Sequence, residues 1–353
     1  MIIGRFVLGL VFGLSISWCC RAAEAIRGVG SSAAHPVYRL WSEHYARSGG
    51  VSLNYDPAGS SAGLKSIRAG TSDFGASDIA PSREDLERDG LLIFPTAITG
   101  AVPVFNLPAL RGASLVLSGE VIAAIFMGDI TEWNDTRIQG LNPGTLLPAQ
   151  RIIPVVRSDG SGTTHHFSDY LAKVDAGWKA RMGVGSRLKW PEGVVSAQGS
   201  KGVAQNVAST AGSISYVDYN YVLEYQLKAA KIRLPDGSLV DAGPNSFRNA
   251  LMRSTWVGKA DFTEALTNIP GKGVWPITMG TFVILPRVAP DVVRAQALIR
   301  FFTWAFINGD ELAARANFVR LPDLIQAQSY RTLAAIQDSQ GMSIKGVDLA
   351  ARM

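Results

Sequence analysis

Residues 155–167 read VVRSDGSGTTHHF. The β-branched pair Val155 and Val156 suits a pleated strand, and the small residues from Ser158 to Gly162 punctuate a turn. Beyond the turn, Phe167, Tyr170, Leu171, Val174 and Trp178 recur at helical spacing, which predicts a helix from Thr163 to about Trp178. A strand that ends in Arg157, a turn holding Asp159, Ser161 and Gly162, and a helix make one unit of an α/β fold.

The same alternation runs along the chain. VSLNY (51–55) and ISYV (214–217) read as strands, and a helix is expected from Pro290 with Val293, Ala297, Leu298, Phe301, Phe302 and Ala305 on its apolar face. Segments 139–149 and 191–201 are the richest in Gly, Pro and Ser and read as loops. No fixed-period repeat or low-complexity tract is present.

MIIGR, then FVLGLVFGLSISWCC, then RAAEA follow the charged, apolar, small-residue order of an export signal, with cleavage expected after Ala25. The apolar part is shorter than the roughly 20 residues of a membrane span. Both cysteines, Cys19 and Cys20, lie inside this segment, so the mature chain has no thiol for disulfides or metal. A lipid anchor on one of them is the alternative; Trp18, where small residues are expected, argues against it. Loss of Arg5, Arg21 and Glu24 takes the net charge from +5 to +4. That charge is mild and spread out, which argues against a nucleic-acid partner.

Three turns share one chemistry. GVGSSAAHPVY (28–38) sets Ser31 and Ser32 ahead of a helix, PAGSSAGLKSI (57–67) sets Ser60 and Ser61 ahead of another, and DGSGTTHHF (159–167) repeats the pattern. Each places hydroxyls beside helix-start N–H groups, where the helix dipole adds partial positive charge, a ready anion site. For any single turn, helix capping is the plainer reading; three turns with Arg157 beside the last favour an anion. Asp78, in DFGASDIAPS (73–82), then looks misplaced, because like charges repel. An anion that carries a proton resolves the conflict: monohydrogen phosphate donates to Asp78, whereas fully ionised sulfate meets an unpaired buried charge.

These blocks, together with LKWPEG (188–193), SISYVDYNY (213–221) and VWPITMGTFVIL (274–285), resemble the periplasmic phosphate-binding proteins of phosphate ABC importers from about Gly28 to about Ile344. The resemblance implies a two-lobed periplasmic binding protein fold (type II), two α/β lobes joined by crossover hinge strands, with lobe 1 at 26–101 plus 276–353 and lobe 2 at 102–275. It further implies that Ser32, the Ala33 amide, Ser60, Asp78, Arg157, Ser161, Gly162 and Thr163 surround inorganic phosphate, with Asp159 holding Arg157. The expected partners are the membrane permease and ATPase subunits of such an importer. No cofactor, metal, nucleic acid or second copy of the chain is expected. The chain departs from the family where Ala33 replaces an aromatic residue and Ala62-Gly63 replaces paired glycines. The tail KGVDLAARM (345–353) lies beyond the resemblance.

Other chemistries fit less well. Asp73-Phe74-Gly75 matches a kinase triplet, but no HRD loop accompanies it. GSSAGLKS (59–66) has the wrong spacing for a P-loop. His165 and His166 point to different helix faces and suit packing or exposure better than metal. Ser161 lacks the G-x-S-x-G context and a placed base. An exported phosphatase or a phosphate-responsive sensor on the same lobes is the alternative.

Overall fold

The structure is a computed structural model and describes residues 24–259 and 262–344. Cys19, Cys20, all but the last two residues of the expected signal, and the tail 345–353 lie outside the described residues. Among the described residues no helix is long and apolar enough to cross a membrane.

One curled sheet organises the chain. Eight of its nine strands are β1 (Ile26–Gly30), β2 (Leu53–Asp56), β3 (Phe74–Ser77), β4 (Leu91–Asn106), β5 (Ile153–Arg157), β6 (Val195–Ala197), β7 (Ser213–Asp218) and β8 (Thr278–Pro286), in the order β2-β1-β3-β8-β4-β7-β5-β6. β1 runs parallel to β2 and β3, and β5 runs parallel to β6 and β7, so each half needs helical crossovers. The long strand β4 joins the halves. Up to Gly100 it pairs with β8, and from Ala101 onward it pairs with β7. Burial on both faces explains its near-continuous apolar run, LLIFPTAITGAVPVFN.

Helices cover both halves: α1 (His35–Arg47), α2 (Ser60–Arg68), α3 (Gly162–Val174), α4 (Ala176–Arg181), α5 (Gly199–Ser209) and α6 (Val292–Asn308) position the elements discussed below. On one half, Tyr38, Phe74, Phe94 and Phe302 meet edge to face. On the other, Phe167 stacks on Tyr216 with centroids 4.0 Å apart, and Phe126 and Trp178 close around Phe167.

Several expected boundaries move. The helix expected over 163–178 is two helices, because Asp175 is extended and its Oδ1 accepts the Trp178 N–H at 2.6 Å, capping α4. The apolar face still holds: Phe167, Tyr170, Leu171 and Trp178 are buried on both sides of the break. Asp175→Ala should cost about 1 kcal/mol of stability in urea unfolding, the usual loss for an N-cap; an unchanged midpoint would mean that the packing of Trp178 alone fixes the break.

The helix expected from Pro290 begins instead at Val292. Asp291 caps it by accepting the Val293 and Arg294 N–H groups at 2.9 and 3.1 Å. Val293 consequently sits in the exposed first turn, while Leu298, Phe301, Phe302 and Ala305 are buried. β2 starts at Leu53, in register with Ile26, and not at Val51. The expected loop 191–201 contains β6, in register with Val155, and the start of α5; the expected loop 139–149 opens on the end of a helix, Thr136–Leu141.

Candidate functional site

β3 delivers Asp78 to a buried position one residue past its end, with 1% of its surface exposed. Ser31 Oγ and Thr281 Oγ1 each donate to Asp78 Oδ1 at 2.6 Å. Ser60 Oγ accepts the Asp78 N–H at 3.1 Å and donates to Oδ2 at 3.2 Å. Thr281 reaches the carboxylate beside a β-bulge: β4 carries an extra residue at Thr96, which shifts the register between Thr281 and Phe282. Burial pushes the Asp78 carboxyl up, while Ser31, Thr281, Ser60 and the charge of Arg157 pull it back.

Helix capping accounts for little of this. The first turn of α1 has Ala34 at its cap and no side-chain cap bond; Ser31 serves Asp78, and Ser32 Oγ pairs with Ser200 Oγ at 2.9 Å. Ser60 is already helical in α2 and is spent on Asp78. Only Ser161 caps, accepting the Thr164 N–H at 3.1 Å, and that role leaves its O–H as a donor.

β5 ends in Arg157, which is 5% exposed. Its Nε and Nη2 fork onto Asp159 at 2.8 and 2.5 Å, and its Nη1 donates to Ser200 Oγ at 3.0 Å. Such a fork fixes the guanidinium plane as well as its charge. Burial opposes the Asp159 charge, but the Arg157 bonds hold its carboxyl below the usual range. Gly162 and Thr163 open α3, and a helix leaves such first-turn N–H groups without internal partners.

The two halves of the sheet meet across this cleft. Ser61 N–H donates to Gly160 O at 3.1 Å, His166 Nε2 lies 2.7 Å from Asp78 O, and Tyr221 O–H donates to Ser32 O at 3.1 Å. Burial lowers the His166 pKa, so the ring is neutral and Nε2 donates. His166 therefore packs and bonds across the cleft, and no group of metal-ligating side chains stands among the described residues.

Gly162 lies in close contact with the other half. A Cβ there would lie 2.5 Å from Asp78 Cβ and Oδ2 and 2.6 Å from Ser60 Oγ. Gly162→Ala should therefore prevent full closure while leaving both lobes folded, at a cost of about 1–3 kcal/mol. Small-angle scattering should give a larger radius for the variant; an unchanged radius would show that the cleft absorbs the methyl group.

The residues singled out from sequence thus fall in one place. Ser32, Ser60, Asp78, Arg157, Ser161, Gly162 and Thr163 line the cleft, with Asp159 behind Arg157. Ala33 is buried beside them, but its N–H donates to Ser31 Oγ at 3.1 Å. Four participants went unassigned from sequence: Ser31, Thr281, Ser200 and Asp218. Three had a visible signal: Ser31 stands beside Ser32 in the first hydroxyl turn. Ser200, in QGSKG (198–202), opens a helix after a glycine as the other three turns do, and Asp218 closes a strand much as Asp78 follows β3.

Two α/β halves joined through a crossover strand, with a donor-rich cleft between them, define a two-lobed binding protein. The model of the PBP superfamily domain matches residues 21–306. The phosphate-binding protein PstS of Xylella fastidiosa strain Temecula1 is 40% identical over 297 residues, covering 84% of this chain and 81% of that protein. Its counterpart in Pasteurella multocida is 39% identical over 323 residues, covering 91% and 94%. The chain belongs to the PstS phosphate-binding protein family, within the PBP superfamily. Solved structures share the fold at lower identity. The phosphate binding protein of Stenotrophomonas maltophilia aligns with a TM-score of 0.65 at 18% identity, covering 88% of this chain and 94% of that one. A high-affinity periplasmic phosphate-binding protein solved with phosphate aligns at 0.68 and 20%, covering 91% and 96%.

Proposed function

We propose that the protein captures inorganic phosphate between its lobes and delivers it to the permease and ATPase subunits of an ABC importer. It works as a monomer outside the cytoplasmic membrane, after removal of residues 1–25, and binds without chemical conversion. The observation that carries this reading is a buried carboxylate, Asp78, facing helix-start donors and a fixed guanidinium. A cradle of donors with one acceptor suits an anion that brings its own proton.

In this reading Ser32, Ser60, Asp78, Arg157, Ser161, Gly162 and Thr163 hold the phosphate. The Ala33 amide joins them if it turns from Ser31. Asp159 fixes Arg157. We set the lobes at 26–101 plus 276–353 and at 102–275, a division that falls within one residue of where β4 changes sheet partner, between Gly100 and Ala101. Family membership supports both ligand and importer. The test is calorimetric titration of ligand-free mature protein with phosphate and separately with sulfate. Tight phosphate binding without sulfate heat is expected; a folded protein that gives no phosphate heat would overturn the reading.

A further inference from the structure

The cleft holds a second buried carboxylate with a different set of partners. Asp218 ends β7 and is 0% exposed. Ser200 Oγ donates to its Oδ2 at 2.5 Å and Thr163 Oγ1 donates to its Oδ1 at 2.9 Å. Because the Ser200 proton points at Asp218, the Ser200 oxygen must accept, and it does so from Arg157 Nη1 at 3.0 Å and from Ser32 Oγ at 2.9 Å. Hydroxyl protons from three residues, Ser32, Ser200 and Thr163, therefore run toward Asp218. Ser32 and Thr163 are also residues proposed above to donate to phosphate. An ionised Asp218 competes with the ligand for the same protons.

The charge balance points the same way. Asp78, Asp159 and Asp218 share one guanidinium, that of Arg157, so the ionised cleft is already negative before an anion enters. The charged or titratable groups acting on Asp218 are Asp78 from the end of β3, Arg157 on β5 and Tyr221 from the helix Tyr219–Glu224; Tyr216, on its own strand, lies against Arg157. Both tyrosines are pushed well above neutral pH by burial and stay uncharged. None of these groups can neutralise Asp218 beyond what Arg157, already forked on Asp159, supplies.

We propose that Asp218 takes up one proton from solvent when phosphate binds, and that this reverses one of its two hydroxyl bonds, so that either Ser32, released through Ser200, or Thr163 donates to the ligand. This rests on the phosphate reading above. A protonated Asp218 donates to Ser200, which then donates to Ser32 and frees the Ser32 proton for the anion, or it donates to Thr163 and frees the Thr163 proton. Asp78 differs, because it receives the proton that phosphate itself carries and adds none from solvent.

The sign follows from burial and from Asp78, which push the Asp218 carboxyl up to about 6 against the pull of Ser200, Arg157 and Thr163. Near neutral pH the ligand-free group is then mostly ionised, and a neighbouring anion raises its proton affinity further. Uptake is therefore greatest just above that value. Phosphate affinity falls as pH rises through the window, by up to about tenfold per pH unit for each proton coupled.

Phosphate titrations in buffers of different ionisation enthalpy count the protons taken up. Comparing wild type with Asp218→Asn near neutral pH removes the contributions of phosphate and buffer. The wild type should take up close to one proton more than the variant, and its affinity should fall more steeply with pH. Phosphate binding with equal proton uptake in both overturns the role of Asp218 alone. Absence of phosphate binding in the wild type overturns the phosphate reading as well. Should Asp218→Asn fail to fold, Ser200→Ala serves. Without that donor Asp218 holds its proton more tightly, so the uptake window moves to higher pH; an unmoved window overturns the proposal.

Discussion

Phosphate affinity in Arg157→Ala is expected to fall by about 2–5 kcal/mol, the usual loss when one partner of a buried charged hydrogen bond is truncated. That is roughly thirty- to several-thousand-fold in Kd. Arg157 is the sole cation bonded in the cleft among the described residues, and it faces the carboxylates of Asp78, Asp159 and Asp218. Its removal takes away the direct attraction and also leaves Asp159 with the Gly199 N–H but without the Arg157 fork that does most to keep its carboxyl ionised. The Asp159 pKa is depressed, so its contribution to stability is present above the unfolded carboxylate range and fades as pH falls through the depressed value. The variant should lose that contribution and unfold at a lower denaturant concentration at neutral pH, with the difference shrinking in acid. Arg157→Lys should recover part of the affinity, since it restores the charge but not the fork. Calorimetry on folded variants measures both, and near-normal phosphate affinity in Arg157→Ala would remove this residue from the site.

The order of the fold could be read from the sequence because its signals are local. Val155 and Val156 before a small-residue turn, and the apolar spacing from Phe167 to Trp178, specify strand and helix whatever surrounds them. Boundaries were less legible because they depend on which polar group takes a helix-end N–H. Asp175 and Asp291 both act as caps, one splitting a helix and the other delaying one. The site divided along the same line. Residues in hydroxyl-rich turns could be found from composition, whereas Thr281 lies inside an apolar strand and reaches Asp78 across 203 positions of sequence. Its role depends on a bulge in β4, and a register shift between strands leaves no local mark. Ser200 carried the same turn signal as the others, but its importance lies in joining Ser32 of one half to Arg157 and Asp218 of the other, a link made only where the two halves meet.

Asp78→Asn should change selectivity far more than affinity. Asp78 Oδ1 takes two short bonds, from Ser31 and Thr281, whereas Oδ2 takes one long bond from Ser60 and lies against Gly162 at the start of α3. Oδ2 is therefore the atom placed to accept a proton from the ligand. Phosphate supplies that proton; sulfate presents only lone pairs, and two acceptors in contact within a buried site repel with nothing between them. Asparagine keeps an acceptor and adds a donor that can face sulfate. Phosphate affinity should fall by about tenfold, near the worth of one charge-assisted hydrogen bond, while the phosphate-to-sulfate ratio narrows by at least roughly a hundredfold. The wild type offers an independent check through pH. Burial raises the Asp78 carboxyl, so its charge is lost on acidification before that of an ordinary aspartate. Once protonated it becomes a donor, and sulfate binding should rise as pH falls. The Asp78 part of that rise should vanish in Asp78→Asn, which has no carboxyl to titrate there. Competition titrations of both proteins across the acid range measure it. If sulfate is excluded equally by wild type and variant at every pH, shape and not the missing proton sets the selectivity.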